Sequence, residues 1–248
     1  GKVFVGTNNE SPRDPGKKGD RGVVMCLDEK TGKMLWQLVI PKLGAGKVSD
    51  WEYIGVCSSP AIDGDKVYVV TNRCEVVCLD INGLADGNAG PYKDEAKYVR
   101  PKGKQDELNE KTDADIIWMY DMRDQLGVFP HNVTSSSALI VGDVIYVATS
   151  NGVDWSHTNI PSPLSPSWIA LDKKTGKLLG EDGSGASASA LHAALLDSGP
   201  PPTVLSHHRS IRMFARAACS RGESSRHQRS SASCVISAQS STTTIGSP

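Results

Sequence analysis

The sequence predicts an all-β chain assembled from repeated four-stranded antiparallel sheets. Three observations predict it. A phrase recurs: CLDEKTGKMLW, from Cys26 to Trp36, returns as ALDKKTGKLLG, from Ala170 to Gly180, and VCLDING, from Val77 to Gly83, begins the same phrase and then departs from it. The segments around these phrases are short, rich in Val, Ile and Tyr, and bounded by Gly, Asp or Asn, which is the pattern of strands and their turns. The copies also align position by position, so that Phe4, Tyr68 and Tyr146 coincide, as do Thr7, Thr71 and Thr149, and Asp28, Asp80 and Asp172. Self-similarity of this kind decides architecture before any single motif does.

The first unit supplies KVFVGTN (Lys2 to Asn8) and VVMCLDEKTGKMLW (Val23 to Trp36). The second supplies SSPAIDGDKVYVVTN (Ser58 to Asn72), EVVCLD (Glu75 to Asp80) and IIWMYD (Ile116 to Asp121). The third supplies SSALIVGDVIYVATS (Ser136 to Ser150), SWIALD (Ser167 to Asp172) and KTGKLLG (Lys174 to Gly180). DGD at Asp63 to Asp65 and VGD at Val141 to Asp143 link strands as tight hairpins, with glycine taking the positive φ. The recurring phrase is itself a strand–turn–strand corner. Asp28, Asp80 and Asp172 end a strand where a carboxylate can cap the turn's amides. Gly32 and Gly176 take the left-handed position, and Trp36 and Trp118 sit in the strand that follows. One such sheet cannot bury both faces, whereas several packed face to face around an axis can. The expectation is therefore a partial β-propeller over residues 1–185, of two to three blades at about 1–40, 55–122 and 135–181.

Composition bounds the function. The chain has 248 residues, 38% hydrophobic and 22% charged, with a formal net charge of −1. A charge so close to zero provides no field that favours nucleic acid or an anionic membrane. No apolar run approaches the ~18–20 residues needed to cross a bilayer as a helix. Six cysteines do not make a disulfide scaffold. The chain opens on GKVFVGT, already a strand, so it reads as cut from something longer that could carry a targeting signal.

The last quarter is written differently. Residues 1–185 hold 16 Lys and 5 Arg, whereas residues 186–248 hold no Lys, 6 Arg, 15 Ser and 4 of the 6 His. Apart from ALHAALL (Ala190 to Leu196) that stretch has no apolar period. It reads as a basic, Ser-rich disordered tail or as a shifted reading frame. The abrupt exchange of Lys for Arg, Ser and His suits the second better.

The phrase LDxxTGKxxW, following SSPAIDGDKVYV, resembles the repeats of PQQ-type (quinoprotein-like) β-propellers. GVFPHN, TSNGVD, INGLADGN and NIPSPLSPSWIALDKKTGKLL are similar to a large group of such propellers common in planctomycete bacteria. The resemblance covers residues 1–185 and implies a fold of seven or eight blades, of which this chain holds a part. It implies an extracytoplasmic, periplasmic setting. It also brings PQQ and calcium as family cofactors, held in the dehydrogenases by two adjacent cysteines, a ring-stacking Trp, a Glu/Asn calcium site and a catalytic Asp. No Cys-Cys dipeptide occurs here, and no set of residues matches that calcium site. Many propellers of this fold serve as scaffolds or binding platforms instead. The reading is thus a non-enzymatic scaffold, with a fragment of a quinoprotein alcohol or sugar dehydrogenase as the alternative. No catalytic residue and no metal ligand is assigned.

Candidate sites follow from the loops. No dinucleotide, Walker, nucleophile-elbow or zinc-protease motif is present. Cys74 and Cys78 lie four apart on a strand, ~13 Å between Cα atoms, which exceeds the ~7 Å limit of a disulfide. Cys26 and Cys78 share a repeat position that Ala170 also fills, so it wants a small buried residue. A disulfide between Cys57 and Cys74 stays open. Asn132 heads an N-x-T sequon. The long loops Asn8 to Gly22, Leu38 to Cys57, Met122 to Thr134 and Asn151 to Pro166 all belong to one end of the blades and concentrate polar and aromatic residues, as binding surfaces on rigid scaffolds do. The expected ligand-binding set is Arg73, His131, Asn132, Asn8, Asn151, Asp154 and Trp155, with Arg73 as a recessed cation beside His131 and Asn132. The expected partner is a protein or a small polar ligand. Uncovered end sheets are expected to drive self-association.

Overall fold

The computed structural model describes residues 1–99, 108–109 and 111–182; the tail expected at 186–248 lies outside the described residues. Among the described residues, eleven strands form three antiparallel sheets. The first holds β1 (Lys2–Asn8), β2 (Arg21–Asp28) and β3 (Met34–Pro41). The second holds β4 (Ala61–Asp63), β5 (Lys66–Val70), β6 (Glu75–Asp80) and β7 (Ile116–Asp121). The third holds β8 (Leu139–Val141), β9 (Val144–Ala148), β10 (Trp168–Asp172) and β11 (Leu178–Glu181). In each sheet the strands lie side by side in chain order. The fold is a partial β-propeller of PQQ-like repeats.

The register explains the repeat. Phe4 pairs with Cys26 and Cys26 with Trp36; Tyr68 pairs with Cys78 and Cys78 with Trp118; Tyr146 pairs with Ala170 and Ala170 with Gly180. The first two rows run across their sheets on the face turned to the following sheet. A small middle residue lets the flanking aromatics meet, with centroids 5.8 Å apart for Phe4–Trp36 and 6.1 Å for Tyr68–Trp118. Cys26 and Cys78 are buried there.

The corners follow the residues that write them. Asp28 Oδ1 accepts the Thr31 amide (2.8 Å) and hydroxyl (2.7 Å), and Asp172 Oδ1 accepts the Thr175 amide (2.8 Å) and hydroxyl (2.7 Å). Gly32 and Gly176 both adopt φ +68°, a conformation that costs other L-residues ~1 kcal/mol or more. The Asp28 amide closes the first corner onto Lys33 O (2.8 Å) and the Asp172 amide closes the third onto Lys177 O (2.8 Å). In the second sheet the Asp80 amide makes the same closure, but onto Asp115 O (3.0 Å). Residues 81–114 are thus inserted into a corner that begins and ends like the others.

The sheets pack through two apolar layers. Val24, Cys26, Trp36, Leu38 and Ile40 meet Val67, Val69, Val77 and Leu79. Tyr68, Val76, Cys78 and Trp118 meet Ile145, Val147, Ile169 and Leu171. Each tryptophan reaches into the corner of the following sheet. Trp36 Nε1–H donates to Ile81 O (3.0 Å), and Trp118 Nε1–H donates to Lys173 O (3.2 Å). Gly180 stands where the third sheet would place its tryptophan.

The inserted segment carries the short helix α1 (Glu95–Val99), which packs on β3. Its chain also pairs with Gln37 on the outer edge of the first sheet, where Gln37 N–H donates to Thr112 O (2.9 Å) and Ala114 N–H to Gln37 O (3.0 Å). This pairing satisfies the backbone groups of Gln37 on the free edge of β3.

Candidate binding surface

The loops opposite the corners are laced to one another across all three sheets. Val56 N–H donates to Thr7 O (3.1 Å), and Asn8 Nδ2 donates to Tyr53 O (2.8 Å). Trp51 N–H donates to Asn132 O (2.8 Å), and Asn132 N–H donates to Val48 O (2.6 Å). His131 N–H reaches Ser150 O (3.3 Å), and Gly152 N–H reaches Phe129 O (2.9 Å). Beneath this lies a staple. Buried Asp50 receives Lys42 Nζ (2.5 Å), Leu43 N–H (2.9 Å) and Asn72 Nδ2 (3.0 Å), while Lys42 also donates to Trp51 O and Ile54 O. The loops are therefore held as one rigid surface.

Strain and exposure coincide on it. Among the described residues, the non-glycine positions with left-handed backbone are Tyr53, Cys74, Asn132, Ser150 and His157, with φ between 57° and 64°. All lie in these loops. Tyr53 is 74% exposed and Trp155 61% exposed; Trp51 is partly exposed, with Lys47 Nζ 5.5 Å from its ring centroid. His131 Nδ1–H donates to Val153 O (2.8 Å), which leaves Nε2 as the acceptor. Its ring meets His157 edge-on at 4.8 Å.

The structure sorts the residues expected from sequence. His131, Asn132, Trp155 and Asn8 belong to this laced surface. Asn8 also borders a cavity of about 210 Å³ with Glu10, Arg13, Met25 and Gln37. Asp154 is spent within its own loop: its carboxylate accepts Ser156 N–H (2.9 Å), Ser156 Oγ–H (2.5 Å) and Asn159 Nδ2 (3.0 Å). Those bonds, the Ser156 hydroxyl foremost, hold its carboxyl below the usual range. Asn151 is buried, accepts Phe129 N–H (2.9 Å) and donates to Ser162 O (2.9 Å), so it pins two loops together. Arg73, expected as a recessed cation, is ion-paired. Its Nε pairs with Glu75 Oε1 at 2.8 Å and its guanidinium lies 6.0 Å from the Tyr98 ring.

Sequence reasoning missed the network around Glu75. Tyr98 Oη–H (2.6 Å) and Thr71 Oγ1–H (2.9 Å) both donate to its Oε2. Burial, with the Glu75 carboxylate, pushes the Tyr98 hydroxyl well up. It also missed the buried carboxyl of Asp115, which burial pushes up to about 6, with Glu95 and Asp80 adding to the rise. The available signal was spacing: 38 residues separate Asp80 from Trp118, where 8 separate Asp28 from Trp36.

Among the described residues the cysteines are Cys26, Cys57, Cys74 and Cys78, all free and none adjacent. Burial pushes the Cys26 thiol up to about 11 and those of Cys74 and Cys78 up to about 12. No three His, Cys, Asp or Glu side chains among the described residues converge as a metal ion would require. The described residues fit neither a quinone held by adjacent cysteines nor a divalent cation. On the opposite end, a cavity of about 380 Å³ between the second and third sheets is lined by Lys66, Lys173, Asp63 and Asp65, whose charges pair with one another or with Asp80.

These features belong to a repeat class built on sheet-to-sheet tryptophan contacts. A PQQ-repeat family model, described as outer membrane protein assembly factor BamB, matches residues 2–229, and the chain belongs to that family. No curated protein matches it. Among solved structures, it is similar to a europium-containing methanol dehydrogenase at 13% identity and a TM-score of 0.40, covering 72% of this chain and 22% of that one. It is similar to the quinohemoprotein alcohol dehydrogenase of Comamonas testosteroni at 12% identity and a TM-score of 0.37, covering 63% and 17%. BamB of Moraxella catarrhalis matches at 16% identity and a TM-score of 0.21, covering 69% and 62%. The chain spans about a fifth of the length of the dehydrogenases. Among the described residues no helix is long and apolar enough to cross a membrane.

Proposed function

We propose that the chain is part of an extracytoplasmic, periplasmic propeller that acts as a binding scaffold and takes a polypeptide partner on its loop surface. The observation that carries this reading is the gathering of left-handed, non-glycine backbone on that end, beside exposed Tyr53 and Trp155. Each such residue costs ~1 kcal/mol or more and persists only where surrounding contacts impose it. Rigid, exposed aromatics bury large area at little cost in conformational entropy, which suits recognition of a protein chain. The family model's description as an outer membrane protein assembly factor supports a protein as the partner, and strands of membrane β-barrels alternate apolar and polar residues.

Fluorescence titration with a synthetic peptide of alternating aromatic and polar residues tests the reading. Saturable quenching is expected, weakened about tenfold or more in Trp155→Ala and Tyr53→Ala with melting temperatures unchanged. Binding that ignores both substitutions overturns it. Reduction of a dye by an alcohol in the presence of PQQ and calcium would instead favour the dehydrogenase alternative.

A further inference from the structure

At the corner end the two gaps between neighbouring sheets close differently. Lys2 and Lys66 are equivalent, since each stands opposite the corner aspartate of its own sheet, Asp28 or Asp80. Across the first gap Lys2 Nζ–H donates to Ile81 O (2.8 Å) and to Asn82 Oδ1 (2.5 Å), while the Ile81 side chain packs on the apolar layer. The two residues that follow the corner aspartate of the third sheet are Lys173 and Lys174 instead. Lys66 does not cross to them; its ammonium donates to Asp65 (2.9 Å) and Asp80 (3.0 Å) of its own sheet. Lys173 Nζ–H donates to Asp63 (2.6 Å) and Gly142 O (2.8 Å). What stays open is the cavity of about 380 Å³, whose buried wall is Tyr68, Cys78 and Ile117 and whose rim includes Lys66, Lys173 and Lys174. Tyr68 also brings a hydroxyl to a row position where Phe4 has none.

We infer that this cavity is a binding site for a small organic carboxylate, with the anionic group at the lysine rim and a one-ring apolar body against Tyr68, Cys78 and Ile117. The charge follows from the donors left over. An ammonium carries three N–H donors. Among the described residues Lys66 and Lys173 each direct two of them into hydrogen bonds, and Lys174 Nζ makes none. The rim carboxylates compete weakly for these donors, because the Asp63 and Asp65 side chains are 45% and 75% exposed and ion pairs in water hold little energy. A bound carboxylate takes charge-assisted hydrogen bonds in a more enclosed place. The body follows from the wall: a small inorganic anion would leave that apolar surface uncovered, whereas a ring buries it. The volume lies within the range of small-molecule sites. The cavity stands at the end opposite the loop surface, so the two sites are independent.

Calorimetric titration of the full chain with benzoate tests the inference, with benzamide as the uncharged molecule of the same shape. Benzoate is expected to bind at one site, about tenfold or more tighter than benzamide. Lys174→Gln, which keeps the cavity and removes one ammonium, should weaken benzoate about three- to tenfold. Lys173→Ile combined with Lys174→Asn places the residues of the first gap in the second. In this double variant Lys66 is expected to cap the gap as Lys2 does, and benzoate binding should fall tenfold or more while the melting temperature is kept. Thermal melts establish that each variant is folded. If the double variant does not fold, the comparison of benzoate with benzamide and the Lys174→Gln titration still decide. The inference is overturned if benzoate gives no saturable binding up to about 10 mM, which corresponds to the efficiency of an ordinary ligand of its size. Equal affinity for benzoate and benzamide also overturns it, as does benzoate binding that neither Lys174→Gln nor the folded double variant changes.

Discussion

Trp118 lies across Gly176, its Cε3 2.4 Å from where a β-carbon would stand and its Nε1 3.2 Å from Lys173 O. One residue of the second sheet thereby uses the glycine, the turn and the carbonyl of the third. The repeat phrase supplies both halves of this contact, since the tryptophan ends one copy and the glycine sits in the next. Gly176→Ala is expected to destabilise the protein by about 2 kcal/mol or more, through positive φ and displacement of the ring. Trp118→Ala should cost ~3–5 kcal/mol. Denaturant melts of the two single variants and the double variant check it: the effects should be strongly sub-additive, because the second substitution acts on a contact already lost.

The corners were legible in the sequence because they are local. A carboxylate capping amides three residues on, and a glycine at positive φ, need particular residues at particular offsets, and Asp28, Gly32, Asp172 and Gly176 are those residues. The segment from 81 to 115 was not legible, because its course depends on distant partners. Tyr98 is buried against Glu75, and Thr112 pairs with Gln37. The candidate site divides the same way. Polar identity placed Asn151 on the loop surface, but whether an amide faces a ligand or Phe129 N–H is decided by packing across 22 residues. Arg73 read as a recessed cation, and its pairing with Glu75, two residues away, was not read.

Asp115 sets a pH dependence of known sign. Its carboxyl is buried; among the described residues Oδ2 accepts the Ala89 amide (2.8 Å) and Oδ1 meets no hydrogen-bond partner. The folded value of about 6 lies above the ordinary 3.8, so between these values the folded state holds a proton that the unfolded chain has released. Stability from this group is present below about pH 4 and is lost as pH rises through 6. Asp115→Asn keeps an acceptor for Ala89 and removes the charge. It should be more stable than the parent at pH 7.5 by on the order of 1 kcal/mol, with the gap closing towards pH 4. Urea midpoints across that range decide the matter.

The thiols should divide by burial. Desolvation pushes all four thiols up, but Cys57 is exposed to reagent, whereas Cys26, Cys74 and Cys78 are buried, with Cys26 pushed up to about 11 and Cys74 and Cys78 to about 12. The thiolate is the reacting species, so those three are expected to resist iodoacetamide at pH 8 until the protein unfolds. Peptide mapping of brief labelling should find Cys57 modified and Cys26, Cys74 and Cys78 unmodified. Labelling of Cys78 in native buffer, at a rate like that of Cys57, would contradict the packing of Tyr68 and Trp118 around it.

Asp50 holds the loop surface from beneath, and its removal should loosen that surface selectively. The carboxylate is fully buried on its side chain and neutralises Lys42, which is itself only 12% exposed. Asp50→Ala leaves that ammonium among carbonyls, leaves Leu43 N–H and Asn72 Nδ2 without their acceptor, and opens a small void. Breaking a buried pair in this way costs ~3–5 kcal/mol. Asp50→Asn, which retains one acceptor oxygen, should recover part of the loss. The loss should show first in the loops, because the corners and aromatic rows do not touch Asp50. Hydrogen exchange at Trp51 N–H and Asn132 N–H, whose acceptors lie across the two laced loops, should accelerate in Asp50→Ala by more than the change in global stability accounts for. Equal acceleration at Trp51 and at the Asp172 corner would mean that Asp50 supports the whole fold rather than the surface above it.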